Sequence, residues 1–162
     1  MAEIVQLLAS SAHRFVGRPA DGPAPAPDGD LVDEIKLRAG LGIVGDRYFG
    51  KPAHREASVT VIAGEWLPPG AGLAQVRRNI LTTGIAVDEL VGSVLVLDSG
   101  LGPVRLRVHT PAHPCAWMDV TIGPGAWRGL RGHGGIRCTP VTDGILRVGP
   151  VDVMIERDPA QR

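Results

Sequence analysis

One thiol raises the first chemical question in this chain. In "RLRVHTPAHPCAWMD", Arg105 to Asp119, Cys115 follows His109 and His113 and two prolines, Pro111 and Pro114. A loop cysteine among histidines and arginines is in the setting that favours a thiolate, the form that attacks electrophiles and binds metals. A structural cysteine is instead a small apolar filler, expected inside an apolar run. Pro114 on one side and Ala116-Trp117 on the other leave both readings open. Cys138 is the second of two cysteines. Two are too few for a disulfide scaffold and too few for an iron–sulfur cluster of the chain's own, which takes four ligands. Any electrons used here come from outside.

Three further segments carry groups suited to an anion. "GLGIVGDRYFGKPAHR" (40–55) places Asp46-Arg47 at a glycine-permitted bend. It reads either as a turn braced by an ion pair or as a cradle for an anionic ligand. "VRRNILTTG" (76–84) sets Arg78 beside Asn79, a guanidinium fork next to an amide, which suits phosphate or a heterocycle edge. If this stretch is a strand, Arg77 and Arg78 point to opposite faces, so at most one serves a pocket. "GAWRGLRGHGGIRCTPVTDGILRVG" (125–149) carries Arg128, Arg131, His133 and Arg137 among glycines that let backbone approach a ligand closely. A mobile basic loop before the strand at Cys138 is locally an equal reading.

Other chemistries are poorly served. No helix pattern follows the glycines at 40–50, so they are not a dinucleotide fingerprint, and the Lys-Ser/Thr pair of a P-loop is missing. There is no G-x-S-x-G elbow. His113-x-Cys115 is tighter than paired zinc-ligand spacings.

Short elements must position these residues. The 162 residues suit one domain with a real core, and 44% hydrophobic with 21% charged residues describes a folded globular chain. With 22 glycines and 14 prolines, tight turns are frequent. Period-two alternation predicts strands at 104–109 and 151–156, and "EIVQLL", "ASVTVIA" (57–63) and "SVLVLD" (93–98) are further strand candidates. The strand through 104–109 is expected to end near His109, with a loop delivering Cys115. "DLVDEIKL" (30–37) fits two helical turns or a strand, and "RPADGPAPAPDGD" (18–30) reads as an exposed loop. The expectation is one domain over 1–162, an all-β or β-dominated barrel. Formal net charge is 0 with pI near 7.0, so no global field draws the chain to nucleic acid or an anionic membrane. No run approaches the roughly 20 apolar residues of a membrane span, and the start lacks the basic opening of a secretory signal. A cytoplasmic location is expected.

In their order and spacing, "GLGIVGDRYFG", "HREASVTVI", "RRNILTTGIAVDELVGSVLVLDSG", "PAHPCAWMD" and "RGHGGIRCTPVTDGILRVG" resemble a MOSC domain. That domain ends the molybdenum-cofactor sulfurases and also occurs alone. The resemblance implies a closed, mostly antiparallel β-barrel with short helical segments. It implies that Cys115 stands at the family's single characteristic cysteine, which ligates molybdenum or carries sulfur. On this reading molybdenum cofactor is the ligand and Cys115 the metal ligand. Arg78, Asn79, Arg128 and Arg131 hold phosphate and pterin, and Asp46, Arg47 and Arg55 shape the wall. His113 tunes the thiolate or relays protons to a reduced N–O substrate. An external electron donor is then the partner. The alternatives are a persulfide carrier on Cys115 loaded by a cysteine desulfurase, and a non-enzymatic barrel for a small anion or partner protein. Tyr48 departs from the histidine that many relatives have after "GDR", and the chain shows no lysine motif for pyridoxal phosphate.

Overall fold

The computed structural model describes residues 1–159. Twelve strands occur in it: β1 (Glu3–Leu8), β2 (Leu31–Val32), β3 (Glu34–Arg38), β4 (Gly42–Ile43), β5 (Val59–Ala63), β6 (Ile80–Thr83), β7 (Ser93–Asp98), β8 (Pro103–Pro111), β9 (Ile136–Pro140), β10 (Gly144–Arg147), β11 (Gly149–Pro150) and β12 (Asp152–Arg157). Three short helices, α1 (Leu73–Val76), α2 (Trp117–Thr121) and α3 (Ala126–Gly129), lie in the connections. The stretch 30–37 enters strands β2 and β3 and forms no helix, because Ile35 and Leu37 go inward while Glu34, Lys36 and Arg38 stay out.

The larger sheet runs β11-β1-β6-β5-β9-β8-β7-β12, with β2 beside β1, and the smaller is β10-β3-β4. All pairings are antiparallel except β5 with β6. The expected closed barrel is not formed: the path ends at β11 and β12, which do not pair with each other. These two strands are nonetheless consecutive in the chain, joined through Val151, whose N–H donates to the Ala2 carbonyl at 3.2 Å. A covalent link spans the gap where a barrel would have a hydrogen-bonded ladder. On the edge strand β12, Val153, Met154 and Ile155 are exposed between Asp152 and Glu156. Carboxylates at such an edge disfavour strand addition by a like-charged copy.

Two apolar clusters hold the layers together. In the first, Ile35, Leu37, Ile43 and Leu146 of the small sheet meet Ile4, Leu7, Val61, Leu95, Leu97 and Leu106 of the large one. The second lies on the other face of β5 and β6, where Ile62 and Leu81 meet Leu73, Val76, Met118 and Leu130. Each fully buried leucine or isoleucine contributes about 1.5–3 kcal/mol. The strand β5 is therefore packed on both faces, and the second cluster seats the helices next to Cys115.

Strand β8 continues past the expected end at His109. The β8–β9 register shifts between Val108 and Thr110, so His109 is the extra residue of a bulge, and pairing resumes through Pro111. Close approach also dictates the sequence at Gly135, whose φ is +96° and whose added Cβ would meet the Val61 carbonyl. Gly129 has open space around it. Gly135→Ala is expected to lose about 2 kcal/mol or more of stability, and Gly129→Ala to stay within about 1 kcal/mol of the parent, both read from urea unfolding.

Candidate functional site

A cavity of about 550 Å³ opens on the outer face of the large sheet. Its floor is a cross-strand row: Arg137 of β9 lies opposite Thr60 of β5 and Thr110 of β8. The alternation of β9 explains this, since Ile136 and Cys138 are buried and Arg137 between them points out. One wall is the 3-10 segment Pro52–Ala57, which presents Ala53, His54 and Glu56. Thr139 pins that wall by donating its hydroxyl to the Arg55 carbonyl at 2.6 Å. With that proton so placed, His109 donates from Nε2 to the same hydroxyl oxygen at 2.9 Å. The opposite wall is Arg47, Tyr48, Arg77 and Arg78.

A buried polar knot sets that second wall. The Asp46 carboxylate is fully buried; Oδ1 accepts from the Ser10 N–H at 3.1 Å and from Asn79 Nδ2 at 3.2 Å. Arg47 Nη1 lies 3.4 Å from the same oxygen. Asn79 Nδ2 also donates to the Leu8 carbonyl at 3.1 Å, and its Oδ1 accepts from the Thr60 N–H at 2.9 Å and hydroxyl at 3.1 Å. Asn79 thus has its amide engaged behind the wall rather than presented to the cavity. Arg47 donates to the Arg77 carbonyl at 3.3 Å, and its guanidinium lies 4.7 Å from the Tyr48 ring centroid. Tyr48 in turn stands 4.7 Å from the His54 ring and 5.6 Å from His13.

The expectation that Arg77 and Arg78 face opposite ways does not hold, because neither lies in a strand. Arg77 caps α1 in the left-handed region, φ 58°, a conformation costly for a residue with a Cβ. A 2.8 Å ion pair with Asp30 holds it there. Both arginines consequently line the cavity. Arg78 donates from Nε to the Gly134 carbonyl at 2.9 Å, from Nη2 to the His113 carbonyl at 3.2 Å and from Nη1 to the Val76 carbonyl at 3.4 Å. Burial lowers its pKa to about 10; the Cys115 sulfur opposes that shift, while Arg137 and Arg47 add to it.

Cys115 is half-buried, packed against the second apolar cluster, and is not in the cavity wall. Its segment is held from two sides, by Arg78 on the His113 carbonyl and by Trp127 Nε1 on the Pro114 carbonyl at 3.1 Å. The His113 side chain is exposed. Arg55 is exposed and contributes its carbonyl, not its guanidinium, to the packing. Arg128 and Arg131 line a separate groove with Asp119 and Trp127. Arg137, offered by the sequence only as one cation in a glycine-rich run, is the floor residue; strand alternation at 136–138 is the signal for it. Cys138 is wholly buried in β9, which pushes its thiol pKa up. Among the described residues there is no cluster of three or more metal-ligating side chains, and no helix long and apolar enough to cross a membrane.

No family model and no curated protein matches the chain. Solved structures do share its fold. The YuaD protein from Bacillus subtilis is 17% identical over 97% of both chains, with a TM-score of 0.70. YiiM from Geobacillus stearothermophilus is 14% identical, covering 95% of this chain and 75% of that one, with a TM-score of 0.61. YiiM from Escherichia coli is 16% identical, covering 95% and 70%, with a TM-score of 0.55. At these identities the likeness is one of fold.

Replacing Asn79 by Ala leaves the Asp46 carboxylate and the Leu8 carbonyl short of a donor. The expected cost is about 2–3 kcal/mol in chemical denaturation, against less than about 0.5 kcal/mol for the exposed Arg55→Ala.

Proposed function

We propose that this chain is a MOSC-type protein whose arginine-lined cavity takes the phosphate-bearing heterocycle of a molybdenum cofactor, with Cys115 as the reactive thiolate. The observation that carries the reading is the convergence of Arg47, Arg78 and Arg137 on one cavity, with Arg78 also gripping the Cys115 segment. The fold shared with YuaD and YiiM supports it.

The residues fit the phosphate and heterocycle. The volume lies in the range of small-molecule sites, guanidinium groups suit phosphate, and the Tyr48 and His54 rings suit a planar group. Arg77 and Arg47 already have acidic partners, so Arg78 and Arg137 supply the positive charge left for a ligand. The Thr110 hydroxyl flanks Arg137 as a further donor, while the Thr60 hydroxyl is committed to Asn79. A thiolate is a soft ligand that suits the metal of such a cofactor. When bound, the cofactor would supply two-electron transfer to an N–O substrate, with electrons from an external donor. The chain's own part is to neutralise the phosphate, orient the ring and hold the Cys115 segment in place.

A second reading is favoured by one observation: the sulfur lies outside the cavity wall. Cys115 would then accept a sulfur atom from a cysteine desulfurase as a persulfide and pass it on.

Molybdenum measured by inductively coupled plasma mass spectrometry, in protein from a cofactor-producing host, tests the first reading. Metal is expected in the parent and lost in Cys115→Ala; equal or absent metal in both contradicts it. Cys115 is also expected to alkylate at least about tenfold faster than Cys138, checked by peptide mass spectrometry, because only Cys115 has solvent access.

A further inference from the structure

The helix α3 stands between two grooves that the cavity does not use. On one side an apolar groove of about 390 Å³ is walled by Trp66, Pro68, Ile122 and Leu130. On the other, a groove of about 340 Å³ is walled by Asp119, Trp127, Arg128 and Arg131. Gly125 borders both. Trp66, stacked on one face against His133 at 3.6 Å, is 54% exposed, and Trp127 in the other groove is 48% exposed, so each groove keeps an indole in contact with water. Tryptophan and arginine are the residues that most often carry binding energy at protein interfaces.

Charge narrows the occupant. Arg128 and Arg131 are exposed and have no acidic partner among the described residues. Asp119, the carboxylate in their groove, accepts the Trp127 backbone N–H at 2.9 Å. A small anion would satisfy the arginines and leave the apolar groove unused. A nucleic acid strand asks for more cations than two, on a chain whose formal net charge is 0.

The geometry points to α3 and its two grooves as a docking surface for an acidic polypeptide segment bearing an apolar anchor. The anchor enters the groove beside Trp66 and Leu130, and the carboxylates pair with Arg128 and Arg131. Trp127 donates to the Pro114 carbonyl, which ties this surface to the residue before Cys115. That placement gives the partner of the proposed function a seat, and to this extent it rests on that reading. Binding itself needs no chemistry at Cys115.

The three tryptophans, Trp66, Trp117 and Trp127, give three indole N–H signals in a nitrogen-15 correlation spectrum. The probe is a peptide with a central Leu-Phe pair flanked on each side by glutamates, compared with its lysine counterpart and with a short oligodeoxythymidylate. The glutamate peptide is expected to shift Trp66 and Trp127 and leave the buried Trp117 in place. R128E/R131E is expected to weaken binding roughly tenfold, equivalent to about 1.4 kcal/mol. Cys115→Ala is expected to bind as the parent does, which separates this surface from the fate of the thiolate reading. Equal binding of the lysine peptide, preference for the oligonucleotide, or unmoved Trp66 and Trp127 signals would overturn the proposal.

Discussion

The buried contact between Asp46 and Asn79 is the constraint on which the site depends. A carboxylate with no solvent access needs donors on its lone pairs, and here they come from Ser10, Asn79 and Arg47. Those donors belong to the end of β1, the approach to β6 and the bend after β4. Asn79 extends the knot to Leu8 and to Thr60 on β5. One buried charge thereby fixes where Arg47 and Arg77 stand relative to the Thr60–Arg137–Thr110 floor. Without it the cavity would have a floor and no determined far wall.

Arg78 links that cavity to the thiol segment. Three of its N–H groups go to carbonyls, which orders the chain at His113 and Gly134 while the guanidinium still faces the cavity. Burial near Arg47 and Arg137 makes its charge costly to hold, and an anion in the cavity would offset that cost. The same residue therefore positions the Cys115 segment and forms part of the cavity wall.

Where short apolar or alternating runs are bounded by turn residues, the sequence is a good guide. "SVLVLD" is β7 residue for residue, and the alternation at 104–109 and 151–156 falls in β8 and, within a residue at each end, in β12. Tertiary contacts decide the rest. Arg77 takes a left-handed conformation because Asp30, 47 residues away, pairs with it. The bulge at His109 serves pairing with β9, a partner remote in sequence. Closure of the large sheet fails because β11 and β12 bond to different neighbours on either side of Val151. Arg128 and Arg131 read like Arg137 in the glycine-rich run, yet only Arg137 is carried to the cavity by a strand.

On the proposed function, the ligand's anionic group is received by Arg78 and Arg137 rather than by the arginines of α3. Titration with inorganic pyrophosphate, followed through the arginine Nε–H signals, tests it most directly. Saturable shifts are expected at Arg78 and Arg137, with Arg128 and Arg131 unmoved. Shifts confined to Arg128 and Arg131 would contradict it.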